Sequence, residues 1–92
     1  MSKHKPVQTG RHLGGAFKRF QFDNGYGASV VSHPFSYGGK TGLWEIGVLG
    51  VDGRLTYDTP ITNDVIGFLE WEQVEKVLDD IAALPVALEV AK

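Results

Sequence analysis

Apolar and polar residues mostly alternate in short runs along this chain, and only one stretch changes period. In WEQVEKVLDDIAAL, Trp71, Val74, Val77, Leu78, Ile81 and Leu84 recur at steps of three and four. That spacing lines them along one face of a helix and turns Glu72, Glu75, Lys76, Asp79 and Asp80 to water. The pattern predicts an amphipathic helix over 71–84, stopped by Pro85. Glu70 and Glu72 suit the positive N-terminal dipole, although neither Leu69 nor Glu70 is an orthodox cap. A helix with one apolar face needs a second layer to lie on, and the upstream periodicity supplies strands.

AFKRFQF, from Ala16, alternates with a period of two and places Phe20 and Phe22 opposite Arg19 and Gln21. Asp23-Asn24-Gly25-Tyr26-Gly27 follows as a hairpin turn, because Asn-Gly tolerates positive φ. An odd loop of three or five residues, pairing Phe22 with Ala28 and Phe20 with Val30, sorts apolar from polar residues best. The second strand is then Ala28 to Ser32. Residues 33–42 hold a proline and three glycines and read as a mobile functional loop. The third strand, Leu43 to Leu49, sets Trp44, Ile46 and Val48 against Leu43, Glu45 and Leu49. A two-residue Asp52-Gly53 turn leads to a fourth strand, pairing Val48 with Tyr57 and keeping Leu55 on the face of Trp44 and Ile46. Asp58-Thr59-Pro60 ends that strand. Over 61–69, Thr62 or Asn63 caps a short helical turn in which Val65, Ile66 and Leu69 tuck under the sheet and which Gly67 separates from the main helix.

The expected fold is therefore α+β: a four-stranded antiparallel sheet of two β-hairpins with one C-terminal amphipathic helix packed on one face. Its division is a flexible basic arm over 1–15, a single domain over 16–85 and a tail over 86–92. The alternation of Val86, Leu88 and Val90 also suits an edge strand, here or on another copy.

Composition narrows the chemistry. The chain of 92 residues has no cysteine, so neither disulfides nor thiolate metal sites reinforce a small core. No apolar run reaches the roughly 20 residues that span a bilayer, and we expect a soluble protein of the cytoplasm. Charge is uneven: residues 1–19 carry five cations and no acid, whereas residues 20–92 carry four cations and eleven acids, or −7. The basic group, Lys3, Lys5, Arg11, Lys18 and Arg19, is either a solvated tail or an arm for phosphates.

The blocks FQFDNGYGASVV, HPFSYGGKTGLWEIGVLG and GRLTYDTPITNDVIGFL, followed by the acidic helix, resemble a family of small uncharacterised proteins of tailed bacteriophages and prophages. NGYGASVV, GLWE and LTYDTPIT are the most specific pieces, and the resemblance spans roughly residues 17–84. It implies a phage accessory protein in the host cytoplasm. It brings no activity, cofactor or catalytic residue.

Candidate chemistry is sparse. Gly38-Gly39-Lys40-Thr41 ends like a P-loop, but position 34 is proline and a strand rather than a helix follows. His4, His12 and His33 lack metal-ligand spacing. Ser32 and His33 are adjacent on an extended chain and point to opposite faces, and Asp23, Asp52, Asp58 and Asp64 serve turns and a helix start. We expect no catalytic residue, no metal, no cofactor, no small-molecule substrate and no membrane. Among the aromatics, Phe20, Phe22, Trp44 and Tyr57 belong to the helix-facing core, whereas Phe17, Tyr26, Phe35 and Tyr37 have no obvious place inside. The expected function is non-enzymatic binding of a protein partner, or self-association, through the open sheet face and the 33–42 loop. Its residues would be Phe35, Tyr37, Lys40, Leu43, Leu49 and Val51. The alternative is nucleic-acid binding by the basic arm with loop aromatics.

Overall fold

The computed structural model describes residues 4–36, 38–56, 59–61 and 65–86. Its architecture is an antiparallel sheet of five strands in sequential order, β1 (Gln8–His12), β2 (Gly15–Gln21), β3 (Gly27–Ser32), β4 (Trp44–Leu49) and β5 (Ile66–Leu69), followed by the helix α1 (Trp71–Ala82). The α+β class and the single C-terminal helix are as the periodicity implies; the strand count is five rather than four.

Two strands replace segments read otherwise from sequence. Residues 8–12, expected in a flexible arm, pair with β2 over their whole length, from Gln8 opposite Arg19 to His12 opposite Gly15. The turn between them is Leu13-Gly14, both at positive φ (53° and 81°), as a two-residue primed turn requires. At the other edge, Ile66–Leu69 is β5, not a helical turn, and it pairs with β4 across an irregular register. Among the described residues the expected fourth strand is reduced to a bridge, Leu49 opposite Leu55, with Thr56 N–H donating to Val48 O at 2.8 Å. Gly50 N–H donates to Arg54 O at 2.8 Å and Gly53 N–H to Gly50 O at 2.9 Å, so the turn is longer than an Asp-Gly pair. That extra length moves Leu55 one position in register and flips it to the face away from Trp44 and Ile46. Tyr57 and the capping residues 62–64 lie outside the described residues, as does the C-terminal segment 87–92.

The β2–β3 hairpin shows the same sensitivity. Its loop is odd, but Phe20 faces Ala28 rather than Val30, because Phe22 N–H already bonds Tyr26 O at 2.8 Å and tightens the turn by two residues.

The core lies between the sheet and α1. Phe20, Ala28, Val30, Ile46, Val48 and Leu69 meet Val74, Leu78 and Ile81, with Phe22, Tyr26, Trp44, Trp71 and Val77 packed around them. Tyr26 thus joins the core margin, contrary to the sequence reading. Val74, Leu78 and Ile81 are fully buried, and each contributes roughly 1.5–3 kcal/mol by leaving water. The helix packs on β3, β4 and β5 and against Phe20 of β2, so the matching surface of β1 lies beside it. Glu70 is the N-cap after all: its N–H donates to Gln73 Oε1 at 2.8 Å in a capping box. The helix ends two residues short of Leu84. There the side chain of Asn24, from the β2–β3 turn, donates to the carbonyls of Ile81, Ala82 and Leu84 at 2.8, 3.3 and 3.1 Å.

The reverse face of the sheet is not open over β4. Leu49 is only 5 % exposed. A Cβ on Gly47 would meet Leu55 Cδ2 at 2.5 Å and Val65 Cγ1 at 3.3 Å, which puts the segment after β4 directly over this strand. The same segment is tied to β2, where Arg19 donates to Gly53 O at 2.8 Å.

Candidate functional site

The loop between β3 and β4 is built by short-range hydrogen bonds rather than left free. Ser32 Oγ donates to Leu43 O at 2.8 Å and draws the two ends together. Ser36 Oγ accepts from His33 N–H at 3.0 Å and donates to His33 O at 2.9 Å, closing a turn over Pro34 and Phe35. Phe35 N–H donates to His33 Nδ1 at 3.1 Å. A single 3-10 turn, Gly39–Thr41, follows between Gly38 and Gly42, both at positive φ. Gly39 is obligatory: a Cβ there would overlap the His33 carbonyl.

Against this loop stands Phe68. Its φ is +58°, a conformation that costs a bulky L-residue roughly 1–2 kcal/mol, and its side chain is 65 % exposed. The irregular β4–β5 register accommodates it, in the way that bulges re-aim side chains out of a ladder. Gly38 makes room: a Cβ there would lie 2.9 Å from Phe68 Cα. Phe68, Pro34, Ser36, Gly38, Lys40 and Thr41 line an open groove of about 290 Å³. Thr41 Oγ1 donates to Gly38 O at 2.9 Å, and Ser36 Oγ is engaged with His33, so Lys40 is the charged group the groove presents. Among the described residues the lining holds no pair of groups suited to acid-base or nucleophilic chemistry; they offer an aromatic wall, an apolar floor and one cation.

The residues expected to form the partner surface are not gathered into one patch. Lys40 lines the groove. Phe35 projects from the same loop, 79 % exposed. Leu43 is half-buried beneath Gly38. Leu49 is sealed under the molecule's own chain and is withdrawn from the surface. Val51 is exposed, but in the turn at the far end of β4. Tyr37 lies outside the described residues. Sequence reasoning missed Phe68, since no sequence signal marks a phenylalanine for positive φ.

The basic set is also divided. Arg11 and Lys18 lie on the helix side of the β1–β2 ribbon, because Arg11 faces Ala16 and Thr9 faces Lys18, whereas Arg19 lies on the reverse. Lys18 Nζ sits 6.0 Å from the centre of the Trp71 ring, at the outer range of a cation–π contact. Lys5 is exposed, and Lys3 lies outside the described residues. His4 reaches the other end of α1, with Nε2 2.7 Å from Asp79 Oδ1.

No protein-family model, curated protein or solved structure matches this chain. Among the described residues, no three of His, Asp or Glu come together as a metal cluster, and no helix is long and apolar enough to cross a membrane.

Proposed function

We propose that this chain is a phage accessory protein of the host cytoplasm that acts by binding another protein, not by catalysis, and that the partner docks in the groove between Phe68 and the 33–42 loop. One observation carries the reading: an exposed phenylalanine is held at positive φ beside an apolar groove. Backbone strain of this kind persists where the surroundings impose it, and it collects at ligand clamps. The complementary partner feature is an apolar side chain beside a carboxylate, the first against Phe68 and Pro34, the second on Lys40. The sealing of Leu49 moves the docking surface from the sheet face to this groove. The division of the cations between two faces of β1–β2 weighs against a continuous phosphate track, which is why protein binding stands ahead of nucleic-acid binding.

The test is affinity capture from phage-infected host cells with the native chain, Phe68→Gly and Lys40→Glu. Glycine relieves the positive φ, so Phe68→Gly keeps or gains thermal stability while losing the captured partner. Identical protein sets on all three baits, or nothing held by the native chain, would overturn the reading.

A further inference from the structure

We infer that the outer edge of β1 is a self-pairing surface, on which a second copy of this chain adds its own β1 in antiparallel register about Gly10. The two-residue Leu13-Gly14 turn makes His12 and Gly15 the closing pair of the β1–β2 ladder. With that pair hydrogen-bonded, as such turns require, Gln8, Gly10 and His12 spend their backbone groups on β2, and Thr9 and Arg11 point theirs outward. Among the described residues no strand takes these groups. The strand lacks the usual protection of an edge: it has no internal proline, no bulge and a single full charge, Arg11.

Pairing about a two-fold axis at Gly10 is self-complementary. Thr9 of each copy meets Arg11 of the other as a hydrogen-bonded pair, giving four new backbone bonds. Gln8 meets His12, so no cation directly opposes a cation. Gly10 meets Gly10 as a non-hydrogen-bonded pair, where Cα atoms approach to about 4.5 Å and side chains crowd most. The absence of a side chain there is already used within one copy: the Phe17 ring covers Gly10, with Cε1 2.9 Å from where a Cβ would sit. Across the axis each ring already extends one strand toward its mate, and the two meet over the glycine seam. The product is one continuous sheet of two five-stranded halves. Because the contact involves a short strand from each copy, it is a transient dimer populated at high protein concentration.

The experiment joins sedimentation equilibrium with amide hydrogen exchange on the full chain. With rising concentration the average mass climbs from 10.0 kDa toward twice that value, and the Thr9 and Arg11 amides become slower to exchange. Thr9→Pro removes an outward donor, leaves the β1–β2 backbone ladder in place and gives up only the exposed Thr9 Oγ1 bond to Phe17 O, and it keeps the native circular dichroism while staying monomeric. Three results overturn the inference: a native chain that stays monomeric at millimolar concentration, a dimer that survives in both Thr9→Pro and Arg11→Pro, or concentration-independent protection of Thr9 and Arg11 that vanishes on deleting residues 87–92. The last would show that the chain's own C-terminal segment holds the edge. None of these results bears on the Phe68 groove, which lies at the β5 side of the sheet.

Discussion

Asn24 Nδ2 lies 2.8 Å from the carbonyl oxygen of Ile81, 57 residues further along the chain, so the first buried hairpin turn also closes the last turn of the helix. Asn24 is a polar residue buried with the core (8 % exposed), and its own oxygen accepts from Tyr26 N–H at 3.0 Å. One amide therefore satisfies the orphan carbonyls of a helix end and fixes the turn that presents it.

Removing that amide has a pH-dependent signature. Asn24→Ala strands the buried carbonyls and costs about 1–3 kcal/mol. Asn24→Asp is worse near neutrality, because a carboxylate would face three carbonyl oxygens at the negative end of the helix dipole. This environment holds the new carboxyl above its ordinary range in the folded state, so the acid form is the one folding prefers. The destabilisation is smallest at low pH, where the group is protonated in both states, and grows as pH rises through the carboxylate range. Urea melts of Asn24→Asp at acid and neutral pH measure the difference.

Gly47 and Leu55 form a pair whose cost should be conditional. Gly47→Ala places a methyl 2.5 Å from Leu55 Cδ2, an overpacking worth roughly 1–3 kcal/mol. The clash is with the far end of one side chain, and Leu55→Ala alone, at a half-exposed position, costs little. In a double-mutant cycle the alanine pair recovers most of the loss, and strictly additive effects would contradict the placement of Leu55 over β4.

Leu13 is the cheapest place to stabilise the fold. It sits at φ 53° in the turn between β1 and β2, where asparagine is the preferred residue. Leu13→Asn should raise stability by about 1 kcal/mol, read as an upward shift in thermal midpoint without change in the circular dichroism spectrum.

How much of this was legible in the chain depends on whether a residue's partner is local. The helix was readable because Trp71, Val74, Leu78 and Ile81 announce a single buried stripe. The three central strands were readable because Phe20 sits between Arg19 and Gln21, and because Ala28 and Val30, and Trp44, Ile46 and Val48, recur at every second position. β1 was not, because QTGRH buries no face; it is held by ladder bonds to β2 and by Thr9 Oγ1 on the Phe17 carbonyl, and neither leaves an apolar period in the sequence. β5 was misread for a different reason: Thr62, Asn63 and Asp64 mimic a helix start, and four residues of Ile-Gly-Phe-Leu are too few to establish a period. Leu55 shows how a loop longer by one residue reverses a face assignment. The groove depended on Phe68 most of all, and a backbone angle imposed by Gly38 and the β4–β5 irregularity leaves no trace in composition.

The helix packs mainly on β3, β4 and β5 and reaches β2 through Phe20, and that offset divides the sheet into a roofed part and an outrigger. The roofed strands open only when the whole core does, whereas β1 places no residue in the core and is held by its ladder with β2, by Thr9 Oγ1 donating to Phe17 O at 3.1 Å and by the His12–His33 ring contact. The outrigger is then the part of the molecule whose order answers to its surroundings: crowd the chains together and it firms up, dilute them and it frays, while the groove at the far margin is unmoved by either.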